Sequence, residues 1–298
     1  MASSPHILRT LLSAFAILAL SCLTAAPQAA AEEGLRSLRS AGMGDNVVAG
    51  AGANAALFHN PAALAAVPTY ALELGYDTQL KTGDHQLGVS IADSQTNPAL
   101  AGGMAYTFSF NRGETKAETA MDHNIRLGAA LPIIQDTLIL GVTGQYLHYT
   151  RPTEDGSRIK HNGFTLDIGL MAKLGEKFFV GVSAQDLISV SGATDARILR
   201  AGVAGMFGIV RILGEYGAHL DGPRTRHHGG VGAELMIHSI ALRTGFRHVS
   251  AGGIHRRENL LSLGAGYRSQ SFGLDFAYRQ HVQRAPDRFL GVSIVLFM

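Results

Sequence analysis

From Thr69 to its last residue the sequence alternates apolar side chains with polar or small ones, segment after segment, with a period of two. Tyr70, Leu72, Leu74 and Tyr76 interleave with Ala71, Glu73, Gly75 and Asp77. Near the other end Phe272, Leu274, Phe276 and Tyr278 interleave with Gly273, Asp275, Ala277 and Arg279. Successive side chains of a strand point to opposite faces, so this period specifies strands and not helices. The final segment, Asp287 to Met298 (DRFLGVSIVLFM), sets Leu290, Val292, Ile294, Leu296 and Met298 on one face and runs to the chain end. Candidate strands fall at 69–78, 86–92, 99–110, 120–131, 137–149, 159–173, 177–187, 197–207, 209–219, 228–237, 239–248, 258–268, 271–280 and 287–298. A tilted strand of about 10 residues crosses a bilayer, and many of these reach that length.

Composition turns strands into a barrel. Charged residues make up only 16% of the chain and hydrophobic ones 46%, whereas a soluble domain carries about 25% charged residues. Yet the longest run without Asp, Glu, Lys or Arg after the leader, Asn46 to Leu72, is broken by Pro61, Pro68 and several glycines. Apolar content without a long apolar run is what alternating lipid-facing strands produce. Pro98, Pro132, Pro152, Pro223 and Pro286 are expected between strands or at their ends, as a closed sheet requires. Connections after the sixth, eighth, tenth and twelfth strands are minimal, and those after odd strands are longer, the asymmetry of outer-membrane barrels. A soluble two-sheet protein would alternate too, but would not need this loop pattern. The expected fold is therefore all-β, a 14-stranded antiparallel transmembrane β-barrel over residues 68–298.

The start of the chain fits export. Arg9 closes a short positive stretch, Leu11 to Leu23 is apolar, and Ala29-Ala30-Ala31 precedes Glu32. Residues 1–31 read as a Sec-type signal peptide. A lipoprotein cut before Cys22 is the rival, but Ala19-Leu20-Ser21 fits that pattern poorly. Cys22 is the only cysteine, so the exported chain would hold no disulfide, thiolate metal site or cysteine nucleophile. The expected location is the outer membrane of a Gram-negative-type bacterium. The expected partners are outer-membrane lipid and, through the C-terminal strand, the barrel-insertion machinery. Such strands usually finish on an aromatic residue, and this one ends Phe297-Met298. A net charge of +2 gives no indication of nucleic acid.

If the apolar faces meet lipid, the lumen receives Glu73, Arg126, Asp167, Arg200, Arg211, Glu215, Glu234, Arg243, Arg247, Arg268, Asp275 and Arg279. Charges of both signs facing one cavity should pair, since an unpaired charge beside a low-dielectric wall is costly. They would either select solutes in a water-filled path or form a paired network that packs the wall and holds a plug. Arginine exceeds acid, which predicts a mild anion preference.

Before the barrel, residues 32–67 form a hatch or plug. In LRSAGMGDNVVAGAGANAALFHNPAALAA (Leu38 to Ala66), Gly42 and Gly44 permit a tight turn and Ala53 to Phe58 can be helical. Asn60 can cap a second short helix with Pro61 at its first position. A segment so rich in small apolar residues should fold into the periplasmic mouth of the barrel. Met43-Gly44, followed by Ala55-Ala56-Leu57-Phe58-His59-Asn60-Pro61-Ala62, resembles the N-terminal hatch of the FadL-type outer-membrane family, most nearly its compact PorV/PorQ-like branch. The family's pattern departs here at Asp45, where Gly is usual, and at Ala63 after the NPA. Ala184-Gln185-Asp186-Leu187, Leu199-Arg200-Ala201-Gly202-Val203 and Leu242-Arg243-Thr244-Gly245-Phe246 resemble strand pairs of the same branch, as do Leu263–Tyr267 and Leu274–Tyr278. The resemblance implies fourteen strands and an N-terminal plug, in agreement with the count above. It also implies gating roles for Gly42, Gly44, Phe58, Asn60, Pro61 and Ala62. The family's hydrocarbon and fatty-acid transporters carry long outer loops, and the short loops here weigh against high-affinity fatty-acid capture.

Ten histidines map at or near predicted outer strand ends or loops, with His219, His227 and His228 the nearest cluster. They are the candidates for a metal- or proton-sensitive rim, or simply polar rim residues. No HExxH or GxSxG element occurs, and Asp84-His85 and Asp122-His123 would point to opposite faces. No cofactor, metal or enzymatic activity is expected. Two functions remain. One is a barrel channel or transporter passing hydrophobic or amphipathic small molecules past the hatch. The other is a PorV/PorQ-like anchor or shuttle for protein secretion, with a secretion-system protein as partner and no solute transport.

Overall fold

A computed structural model describes residues 37–111, 120–152, 157–188, 197–220, 225–250, 257–283 and 287–298. The expected signal peptide, the first residues of the hatch and much of the outer loops lie outside the described residues. The hatch comprises α1 (Leu38–Gly42), α2 (Ala53–His59) and a 3-10 turn (Pro61–Ala65). The wall follows: β1 (Tyr70–Gln79), β2 (Asp84–Asp93), β3 (Ala101–Asn111), β4 (Ala120–Ile134), β5 (Leu138–Pro152), β6 (Arg158–Leu174), β7 (Phe178–Gln185), β8 (Ile198–Phe207), β9 (Val210–His219), β10 (Arg226–Ile237), β11 (Ile240–Val249), β12 (Glu258–Arg268), β13 (Phe272–His281) and β14 (Arg288–Phe297).

Each strand pairs antiparallel with its sequence neighbours, and β1 closes the ring on β14 from Ala71↔Phe297 to Gln79↔Phe289. Closure satisfies the edge groups that an open sheet would leave bare in hydrocarbon. All fourteen expected strands are present. The C-terminal strand keeps its alternation to the end. Leu296 and Met298 point outward, and Phe297 turns in to lie 5.4 Å under the Arg268 guanidinium.

The faces separate as the period requires. In β11 exposure alternates residue by residue, with Leu242 and Phe246 outside and Arg243 and Arg247 inside. Leu74, Leu127, Ile212, Val231, Leu263 and Ile294 lie in the same outer band. The shortest turns are Gly208-Ile209 and His238-Ser239, and both begin on a positive φ, 61° at Gly208 and 53° at His238. A positive φ at the first turn position matches the twist of a two-residue hairpin.

One expectation needs correction. Strand β4 runs through Pro132 to Ile134 and does not stop before it. The ladder with β5 shifts between Pro132 and Ile134, so a bulge absorbs the missing N–H at the short-turn rim.

Candidate functional site

The hatch is seated in the lumen, deeper than a cover over the mouth. The barrel makes room for it with inward glycines on strand after strand. Gly42 packs on the backbone of Gly264 (β12), and Met43 packs on Gly245 (β11) and Gly232 (β10). Val48 packs on Gly181 (β7) and Gly202 (β8), Asn60 on Gly169 (β6), and the Pro61–Ala62 peptide on Gly141 (β5). A methyl group at Gly141, Gly169, Gly181 or Gly245 would overlap hatch atoms. The high glycine content therefore has a steric cause, since only hydrogen side chains let two backbones approach this closely.

The sequence folds the hatch locally through its caps and turns. Gly44 (φ +70°) and Asp45 (φ +57°) reverse the chain after α1. Asn60 accepts from the Ala62 N–H at 3.1 Å and so caps the 3-10 turn, with Pro61 at the first position. Its amide donates at 2.8 Å to Val48 O within the hatch and at 3.3 Å to Leu170 O on β6. Asn60 and Ala62 are fully buried, and Phe58 nearly so. The NPA residues thus pin the end of the hatch to the wall.

Polar ties hold the rest. Arg39 forms a two-point pair with Glu234 (2.9 and 2.7 Å), and Arg243 joins Glu234 at 2.8 Å to Asp275 at 2.6 Å, which also accepts from Arg268 at 2.7 Å. Burial opposes the charge on Arg39, but the Glu234 carboxylate beside it holds its pKa above the ordinary arginine value. Glu215 accepts from the Val48 N–H at 3.0 Å while meeting Arg200 at 3.2 Å and Arg247 at 3.4 Å. Asp45 accepts from Arg279 at 2.9 Å, and its carbonyl accepts from Arg247 at 2.7 Å. Arg126 pairs with Asp167 at 3.2 Å, donates to Leu57 O at 3.2 Å, and covers the Phe58 ring at 5.2 Å. Glu73 accepts from Ser37 at 3.2 Å.

The inward residues expected from alternation all lie on the inner wall. Most enter this paired network, whereas among the described residues the Arg211 guanidinium hydrogen-bonds Met206 Sδ at 3.7 Å. The network also takes in residues that alternation and the hatch motif do not single out, among them Arg39, Asp45, Asn46, Asn54 and Gln185. Asn46 donates to three carbonyls, of Met43, Val231 and Phe246, at 3.0–3.1 Å. Asn54 ties α2 to Ser90 at 2.8 Å, and Gln185 donates to Phe58 O at 2.7 Å. Asp45 carried a usable signal, because it replaces the usual glycine while keeping a glycine-like φ.

The three candidate metal histidines do not converge. His219 and His228 face inward, 3.0 Å apart, and His228 continues to Glu215 at 3.1 Å. His227 faces outward and meets Tyr216. No group of three His, Cys, Asp or Glu positioned to hold a metal occurs among the described residues. Beside the hatch, Ser37, Phe58, Glu73, Gly75, Ser90 and Thr107 line a crevice of about 10 Å³, room for about one water.

This fold has solved counterparts. The structure superposes on the toluene transporter TbuX of Ralstonia pickettii with a TM-score of 0.61 at 15% identity, covering 89% of this chain and 97% of that one. The fold is that of the FadL-type outer-membrane barrels. The toluene transporter TodX of P. putida gives a TM-score of 0.66 at 12% identity, covering 89% and 98%. A FadL homologue of Pseudomonas aeruginosa gives 0.59 at 11%, covering 88% and 97%. TbuX and TodX are toluene transporters by name, and all three share the arrangement of this chain at the level of fold. No protein-family model and no curated protein matches the chain.

Proposed function

We propose that the protein is an outer-membrane transporter that passes hydrophobic or amphipathic small molecules when its hatch shifts within the barrel. The observation that carries this reading is the buried hatch, seated on wall glycines and held by polar ties inside a closed fourteen-strand barrel of FadL-type fold. A plug so placed must move for anything to pass. Gly42, Gly44, Phe58, Asn60, Pro61 and Ala62 would then set how far it moves. The outer membrane, reached through a cleaved leader and β14-guided insertion, is part of the proposal.

A second reading is favoured by one specific observation, the charge buried along part of the filled lumen. Glu73, Asp167, Arg200, Glu215, Arg243, Arg247 and Asp275 line one part of the wall, beside an apolar part where the hatch packs on Ala105, Ile139, Met171 and Leu213, and the charged part suits a PorV/PorQ-like anchor for a secretion-system protein. Deleting residues 34–67 separates the two. Under the transport reading, cells carrying the shortened barrel change their uptake of labelled hydrophobic solutes. Unchanged uptake, with the barrel correctly inserted, would leave only the anchor.

A further inference from the structure

Among the described residues, the outer face of the barrel at the loop rim carries five histidines, in a chain that has no tryptophan: His85, His123, His148, His227 and His248. Three of them repeat one contact. Tyr76 Oη meets His85 Nδ1, Tyr106 Oη meets His123 Nδ1, and Tyr216 Oη meets His227 Nδ1, each at 2.8 Å. Each pair spans the same diagonal of a two-strand ladder, with ring planes 17–27° apart. His148 and His248 place Nδ1 at 2.6 Å from the Asn162 and Asn259 side-chain oxygens. Phe110 and Phe108 pack on His85 and His123 at 5.0 and 4.9 Å. At the short-turn rim the ring contacts are Phe178 with Phe207 and Tyr267 with Phe272, and none involves histidine.

We propose that this histidine–tyrosine belt binds anionic, phosphate-bearing lipid headgroups of the leaflet at the loop rim. The inference rests on the membrane-spanning reading of the barrel and not on transport. Interfacial aromatic rings sit at headgroup level in outer-membrane barrels. In the neutral tautomer with its ring proton on Nε2, the hydroxyl donates to Nδ1 and the pair offers one outward donor. Protonation turns Nδ1 into a donor toward Tyr Oη. The hydroxyl hydrogen is released, and the pair then presents two donors and a positive charge to a phosphate. At His148 and His248, where Nδ1 already donates to an amide oxygen, protonation converts Nε2 from acceptor to donor. The groups facing these rings from the adjoining strands are the tyrosines, phenylalanines and asparagines above. Ser250 accepts from the His227 backbone N–H, and His148 stands 5.8 Å from His123. Among the described residues no carboxylate or ammonium group appears in those contacts, and lipid phosphate is a counter-charge that fits.

The test is thermal unfolding of the full barrel in vesicles of phosphatidylcholine, with and without phosphatidylglycerol, at about pH 5 and about pH 8, the range over which histidine changes charge. Insertion is checked first in both vesicles by heat-modifiable gel mobility, so a failure of the membrane reading is seen separately. Phosphatidylglycerol should raise the melting temperature at the lower pH and leave it unchanged at the higher. The variant His85→Gln/His123→Gln/His227→Gln should lose that shift, with each single substitution read in its place if the triple variant does not insert. Tyr76→Phe/Tyr106→Phe/Tyr216→Phe should keep part of it, because the charge remains while the second donor is gone. A shift equal at both pH values, or undiminished in the Gln variants, overturns the proposal.

Discussion

Asp45 concentrates the chemistry of the hatch in one residue. It holds a left-handed backbone that costs a non-glycine residue roughly 1–2 kcal/mol, and its side chain accepts from Arg279 at 2.9 Å and Ser40 at 3.2 Å. Asn at this position keeps the shape and tolerates the φ but removes the charge. Asp45→Asn is therefore expected to weaken seating of the hatch by about 2 kcal/mol, the scale of a hydrogen bond to a charged group. Faster proteolysis within residues 37–67, with the barrel's own melting little changed, would show it. His238 is the opposite case. It also adopts a positive φ, 53°, but in an exposed two-residue turn. His238→Gly should raise stability by about 1 kcal/mol by relieving that strain, measured as slower unfolding in urea.

At the level of elements, the strand glycines act as a socket. Gly245 on β11 faces the Met43–Gly44 backbone so closely that a methyl group cannot fit, whereas Gly102 on β3 faces open space. Gly245→Ala should unseat the hatch and expose it to protease, while Gly102→Ala should leave it protected. Equal protection in both variants would show that the hatch is not held by this wall. Strand β4 shows a second rule. Its proline is tolerated because the ladder slips by a residue there, at the short-turn rim and away from the middle of the sheet.

For the molecule as a whole, the hatch and the wall share one network, because Glu234, Glu215 and Asp275 each meet two arginines, which lie on α1, β8, β11 and β12 between them. Removing residues 37–67 strips Arg39 and Asp45 from it and opens the space they fill. The intact barrel should be silent in planar bilayers, and the hatch-deleted barrel should conduct with an anion preference, since the inward arginines of the wall outnumber its inward carboxylates and Arg247 and Arg279 lose Asp45. A strongly cation-selective conductance would refute the charge argument.

The period-two pattern by itself determined the strand number and which strand side chains face the lumen, because alternation is a local consequence of strand geometry. Asn60 and Pro61 were legible as a cap for the same local reason. Only the tertiary structure decided which charges pair, that Arg39 and Asp45 belong with acids and bases almost two hundred positions away or more, and that His227 and His228 part company across the wall. It also decided why so many glycines line the strands. Partners across a closed barrel are set by how the ring closes and by what fills it, and neither is encoded in the spacing of neighbouring residues.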